Sequence, residues 1–190
     1  MKHFALALIT GAVFGFSTGA AFADAAGPYY ATPSWDQTLP ASTRFVVLSN
    51  FASAAVLDRE TGLIWERSPS ATEQIGVPLP GVFGGDYAAS HCNNLTVGNR
   101  MGWRLPTVQE LLTLVDPSQS GLKLPAGHPF TNVQSAYWTS TTYVVTNLGQ
   151  ALAFWTVHFS IGAAGAAGAT GGVITFPVWC VRTASGTDVQ

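Results

Sequence analysis

The feature that most constrains the fold is a single pair of cysteines, Cys92 and Cys180, in a chain predicted to carry an export signal. A basic start, a short apolar run and an A-x-A sequence before Asp24 predict a secretory signal peptide over residues 1–23. A retained membrane anchor is the alternative, but the apolar run is too short to cross a bilayer of about 30 Å. Two cysteines exported to an oxidising compartment are expected to form one disulfide, closing a loop of roughly 90 residues.

Composition argues against two classes of protein. The net charge is −2 at pH 7, and removal of the signal peptide, with Lys2, makes the chain slightly more negative. That balance argues against a nucleic-acid partner, which needs a basic face. Aromatic residues make up 12% of the chain, which argues against disorder and favours a filled core. We therefore expect an exported protein, with no membrane span in the mature chain, that is periplasmic, on the cell surface or secreted.

A capped helix is predicted after Trp103. Thr107 and Glu110 match a capping box, in which each side chain accepts a hydrogen bond from the backbone amide of the other residue. One apolar stripe follows at helical spacing, made of Val108, Leu111, Leu112 and Val115. Pro117 then ends the helix, because the residue before a proline avoids the helical region. The pattern predicts a short helix lying face-down on a core.

The chain divides into a signal peptide, an arm at residues 24–43, one domain at residues 44–183 and a tail at residues 184–190. The arm is either docked through its aromatic residues or a disordered linker. The remaining predicted elements are a hairpin over residues 54–65, a helix at 87–95 capped by Asp86, and strands at 44–48, 137–142, 151–159 and 173–182. Cys92 would face inward on that helix, and Cys180 inward on the last strand.

The glycine- and alanine-rich tract at residues 162–172 predicts a flexible loop between strands. Pro177 lacks an N–H group, so it should lie at a sheet edge or a bulge of the last strand. Five tryptophans are predicted to be core residues: Trp65, Trp103, Trp138, Trp155 and Trp179.

Five short motifs occur in a fixed order along the domain. They are L-D-R-E-T-G-L-I-W-E-R at 57–67, A-A-S-H-C-N-N-L at 88–95, W-R-L-P-T-V-Q-E-L at 103–111, Y-W-T-S-T-T at 137–142 and C-V-R at 180–182. As a set, the motifs resemble the Lcl C-terminal domain family, named for the globular end of a bacterial collagen-like adhesin. The resemblance implies an α+β, C-type-lectin-like fold, with a small twisted antiparallel sheet, two helices and long loops. It also implies adhesion, although the acidic balance argues against sulfated glycans as ligands.

No grouping of residues predicts an enzyme. His91 and Cys92 are neighbours on the predicted helix and point about 100° apart, which favours a disulfide over a nucleophile with its base. The histidines His91, His128 and His158 lack the spacing of a zinc site, and the acidic residues do not cluster as in a calcium loop. We predict no catalytic residue, no bound metal and no cofactor.

These observations favour an exported, non-enzymatic binding or adhesion module for an extracellular or envelope glycan or protein. Its candidate surface comprises residues 118–134, 143–150 and 162–172, with His128, Tyr143 and Asn147 as candidate ligand-binding residues. Arg104 is predicted to pair with Glu110, Asp116 or another local carboxylate. The alternatives are a structural subunit of an envelope or extracellular assembly held by the arm, and an enzyme that uses Cys92.

Overall fold

The strands of the computed structural model are antiparallel and form three sheets, within an α+β architecture whose helices are short. The structure describes residues 39–76, 87–145, 151–168 and 174–185. The helices are α1 (Ala41–Arg44), α2 (Ala88–Asn93) and α3 (Val108–Leu112). The strands are β1 (Phe45–Val47), β2 (Ala55–Asp58), β3 (Leu63–Glu66), β4 (Gln74–Ile75), β5 (Ala136–Val145), β6 (Ala151–His158), β7 (Ala163–Gly168), β8 (Thr175–Phe176) and β9 (Val181–Thr183). The predicted signal peptide, all but the end of the arm, Asp86 and Asn147 lie outside the described residues. The predicted cap at Asp86 is wrong, because the N-cap of α2 is Tyr87, which makes no side-chain capping bond.

The central sheet has the strand order β1-β2-β3-β9, and the predicted hairpin at its centre is confirmed. Gly62 closes the hairpin turn with a φ of 68°, a conformation that glycine adopts without strain. Every residue of β2 and of β3 is buried, so both faces of the sheet are covered. Side chains that alternate along a strand therefore enter two different parts of the core.

Two core clusters lie on the two faces of this sheet. The larger core cluster packs against α3 and consists of Phe45, Val56, Leu63, Trp65, Val108, Leu111, Leu114, Val115, Leu124, Phe130, Tyr137, Val157, Phe159, Trp179 and Val181. The second core cluster contains both cysteines and consists of Leu48, Phe51, Ala55, Leu57, Ile64, Ala88, Cys92, Trp103, Leu105, Trp138, Val178, Cys180 and Ala184.

Helix α3 begins at the predicted capping box. The amide of Glu110 donates to the Thr107 hydroxyl at 3.1 Å, and the amide of Thr107 donates to the Glu110 carboxylate at 2.8 Å. The helix is shorter than the apolar stripe suggested, because the turn tightens after Leu112 and the amide of Val115 bonds to the Leu112 carbonyl. Val115 nevertheless stays buried, so the stripe extends past the regular helix.

We expect the substitution Thr107→Ala to lower the free energy of unfolding by about 1 kcal/mol, because it removes the side-chain acceptor for the Glu110 amide. Thr131, an exposed residue in a loop, provides the matched control through Thr131→Ala. Urea denaturation of both variants measures the difference. Equal stability of the two variants would contradict a stabilising role for the cap.

The tract predicted as a flexible loop contains a strand, which corrects that prediction for residues 163–168. Strand β7 pairs with β6, placing Ala166 opposite Trp155 and Gly165 opposite Thr156. The Thr156 hydroxyl donates to the Gly165 carbonyl at 3.0 Å. Glycine and alanine have low intrinsic strand preference, so pairing with β6 decides the conformation here and local composition does not.

The last predicted strand is split, and the two pieces belong to different sheets. Strand β8 pairs with β4, whereas β9 joins the central sheet beside β3. Pro177 lies between them and lacks the N–H that a continuous ladder needs. The fold also departs from one small sheet with two helices, since the described residues contain three sheets and three α-helices. None of the helices within the described ranges is long and apolar enough to span a membrane.

Candidate functional site

The motif that starts at Trp103 forms part of the structural frame. The Trp103 ring is buried in the second core cluster, and its indole N–H donates to the Arg100 carbonyl at 3.0 Å. The backbone of Arg104 exchanges two hydrogen bonds with Val181, at 2.8 and 2.9 Å, so the segment extends the central sheet beside β9. These contacts give Trp103 a structural role.

The Arg104 side chain is committed to Glu110, as the sequence predicted. Its two terminal nitrogens donate to the two carboxylate oxygens at 2.8 and 2.6 Å. The hydrogen bond to Glu110 raises the pKa of Arg104. Burial alone would raise the pKa of Glu110, but hydrogen bonds from Arg104 and Thr107 outweigh it and the pKa is lowered. The pair is therefore a fixed ionic contact that supports the capping box.

The predicted disulfide between Cys92 and Cys180 is present. Their Cα atoms lie 5.5 Å apart, and both residues are fully buried. The bond joins α2 to the segment that leads into β9, two parts of the chain 88 residues apart. The chain holds no other cysteine, so the structure offers no free thiol for the cysteine-enzyme hypothesis.

Tyr143 lies on strand β5, although the sequence placed it at the start of a loop. Its side chain is 44% exposed, and its ring contacts the Trp155 ring edge-to-face with centroids 5.9 Å apart. Trp155 is only partly buried and packs against the larger core cluster. The Tyr143–Trp155 pair therefore forms an aromatic surface that is anchored on one side and open on the other.

The three-stranded sheet that carries this pair is free of ionic side chains. Strands β5, β6 and β7 contain no aspartate, glutamate, lysine or arginine. Near the pair, Thr142 and Ala166 are exposed. A ligand on this surface would meet aromatic rings, methyl groups and hydroxyls, and it would meet no ionic side chain from these three strands.

His128 lies in a different part of the molecule. Its imidazole stacks on Phe130, with centroids 5.9 Å apart, and Phe130 contacts Phe45 and Trp179 in the larger core cluster. Its Nδ1 atom is buried and has no hydrogen-bond partner, and burial lowers the pKa of the ring. The contacts of His128 and Tyr143 thus involve separate neighbours, and the structure does not bring the two predicted ligand residues into contact.

Within the described ranges, no group of three histidine, cysteine, aspartate or glutamate residues could hold a metal ion. His158 bonds to the Thr156 hydroxyl at 3.0 Å. Because that hydroxyl already donates to Gly165, the His158 Nε2 atom must be the donor in this contact. The His158 ring is therefore held by Thr156, two residues earlier on the same strand.

The sequence missed Trp155 as a surface residue. Alternation along β6 correctly grouped it with the inward residues Val157 and Phe159, which are buried. Alternation could not show that Trp155 itself is only partly buried where its ring meets that of Tyr143. The concentration of aromatic residues on β5 and β6 could have indicated an aromatic surface, but it indicated a packed core equally well.

Comparison with known proteins supplies the family. The model of the Lcl C-terminal domain matches residues 54–182, well over half of the chain. The chain belongs to the Lcl C-terminal domain family. No significant match was found among curated proteins or among solved structures. All five sequence motifs fall inside the matched range.

In this Lcl C-terminal domain, the five motifs form the main structural elements of the scaffold. The first forms the β2–β3 hairpin, the second carries Cys92, the third forms the capped start of α3, the fourth begins β5 and the fifth starts at Cys180. Tyr143 and Trp155 lie outside all five motifs. The five motifs therefore specify the scaffold, and the aromatic pair lies between them within the matched range.

Proposed function

We propose that this protein is an exported, non-enzymatic binding or adhesion module whose ligand, a glycan or a protein outside the cytoplasm, contacts Tyr143 and Trp155. The observation that carries the proposal is the aromatic pair itself, which is exposed at Tyr143 and supported from below through Trp155. Tyrosine and tryptophan are enriched at binding hot spots because they supply large, rigid, amphipathic contact area at low entropic cost.

The scaffold supports this use. The pairing of β5 with β6 holds the two residues on adjacent strands, and the contact between their rings reduces the side-chain freedom that binding would remove. We propose a C-type-lectin-like arrangement for this scaffold, in keeping with its antiparallel sheets and the disulfide that ties α2 to the segment leading into β9. The disulfide also supports export, because such bonds persist in oxidising compartments.

We expect Tyr143→Ala to weaken ligand binding by about tenfold or more, since truncation of a hot-spot residue costs about 2 kcal/mol or more and about 1.4 kcal/mol corresponds to tenfold. Purified protein lacking residues 1–23 would be tested on a glycan array and in a cell-binding assay. Met101→Ala is the matched control, because Met101 is 75% exposed and lies outside this sheet. Thermal unfolding of each variant checks that the fold is intact.

Two outcomes would contradict the proposal. If folded protein showed no binding in either assay, the proposed binding function would be wrong. If the Tyr143 and Met101 variants lost ligand binding equally, the aromatic surface would not be the binding site, and the ligand would bind elsewhere on the protein.

A further inference from the structure

A buried carboxyl group lies beside the disulfide. Glu66 ends strand β3 with only 5% of its surface exposed. Its side chain accepts a hydrogen bond from the Cys180 amide at 2.8 Å, and its own amide donates to the Cys180 carbonyl at 3.2 Å. Its carbonyl accepts from the Trp179 indole N–H at 2.9 Å. Glu66 therefore makes three hydrogen bonds to the Trp179–Cys180 segment, which carries one half of the disulfide.

No cation compensates this carboxyl group within the described residues. Neighbouring Arg67 directs its guanidinium to the carbonyls of Ser53 and Pro129. Burial raises the pKa of Glu66 to about 7, although the hydrogen bond from the Cys180 amide acts in the opposite direction. A carboxyl group with this environment changes its charge near neutrality.

Other titratable groups nearby do not reproduce this behaviour. Tyr137 on β5 faces Glu66 and stays neutral, because burial raises its pKa well above the usual value and outweighs the opposite effect of the hydrogen bond that its hydroxyl oxygen accepts from the Gln134 amide. His128 reaches the region through Phe130 and Trp179, and burial lowers its pKa. A lowered histidine pKa makes the fold less stable as the pH falls, the opposite direction to Glu66.

We propose that Glu66 is an acidity-sensitive latch that holds the Trp179–Cys180 segment, and with it the disulfide, more tightly when the carboxyl group is neutral. Between pH 4.5 and about 7 the folded chain retains a proton that the unfolded chain releases. The stabilising contribution is therefore complete below pH 4.5 and is lost as the pH rises through 7. The latch operates independently of the aromatic surface formed by Tyr143.

The size of the effect follows from the two pKa values. If detachment of the Trp179–Cys180 segment exposes Glu66 fully, the equilibrium constant for that detachment should be up to about 70-fold larger at pH 8 than at pH 5. Reduction of the buried disulfide reports this opening, because a reductant reaches the sulfur atoms only when the segment detaches.

The test measures the rate at which a phosphine reductant cleaves the disulfide of the full exported chain between pH 5 and pH 8. The variant Glu66→Gln keeps an acceptor for the Cys180 amide and removes the ionisable group. Dividing the native rate by the rate of this variant cancels the pH dependence of the reductant. We expect that ratio of rates to increase roughly several tens of times from pH 5 to pH 8. Glu73→Gln is the matched control at an exposed position and should follow the native protein.

A second measurement uses the native protein alone, in case the Glu66 variant does not fold. The NMR shift of the Cys180 amide should titrate with a midpoint near 7, the pKa to which burial raises Glu66. A midpoint near 4.5, or a ratio of rates that stays constant across the pH range, would overturn the proposal. Faster reduction of Glu66→Gln than of the native protein at pH 8 would do the same.

Discussion

Removal of the disulfide by the paired substitutions Cys92→Ala and Cys180→Ala should lower the free energy of unfolding by about 4–5 kcal/mol. The bond closes a loop of 88 residues, and its loss restores the conformational entropy of that loop to the unfolded chain. Since whole domains are stable by only about 5–15 kcal/mol, much of the variant should be unfolded under mild denaturing conditions. Urea denaturation at constant pH measures the change.

Native protein held under reducing conditions is the control for this experiment. Both cysteines are fully buried, so the alanine variant also loses packing atoms in the second core cluster. The reduced native chain keeps those sulfur atoms, and its remaining loss of stability isolates the contribution of the cross-link. A difference of less than about 1 kcal/mol between oxidised and reduced protein would contradict the expected contribution.

Replacement of Arg44 by methionine should lower the free energy of unfolding by about 3–5 kcal/mol, as expected when a buried ion pair loses one partner. The Arg44 guanidinium donates to Asp58 at 2.7 and 2.9 Å and to the Thr113 carbonyl at 2.9 Å. It also lies 3.2 Å from the Glu60 carboxylate. All three charged side chains are almost completely buried, so Arg44→Met leaves two carboxylates without their cation.

Arg59→Met provides the matched control for Arg44. Arg59 follows Asp58 in the chain, is only partly buried, and donates to the Thr43 carbonyl at 3.3 Å in a solvent-exposed hydrogen bond. We expect the control to change stability by less than about 1 kcal/mol. Similar losses for the two arginine variants, measured by urea denaturation, would show that the buried network contributes little.

The parts of the fold that the sequence predicted correctly are those with a local physical cause. The capping box requires two side chains three residues apart, and the β2–β3 hairpin requires a glycine at a fixed turn position. The disulfide followed from the count of cysteines and the predicted compartment. Each of these signals is present within a few residues or in the composition, so no knowledge of the tertiary structure was needed.

The parts that were missed depend on distant neighbours. The strand character of residues 163–168 comes from their pairing with β6, which local composition does not reveal. Burial of Arg44 and Glu66 likewise depends on elements that are far away in sequence, because charged residues are ordinarily exposed. Of the three predicted ligand residues, Asn147 lies outside the described ranges, and Tyr143 and His128 have separate environments.

The absence of ionic side chains from β5, β6 and β7 has a consequence for the environment in which the Tyr143–Trp155 surface can work. Dissolved ions shorten the reach of charges from about 30 Å in dilute solution to about 3 Å in brine, but they leave dispersion contacts between rings and ligands nearly unchanged. Attachment through aromatic rings, as proposed above, would therefore depend much less on the salt concentration than attachment by attraction between exposed charges.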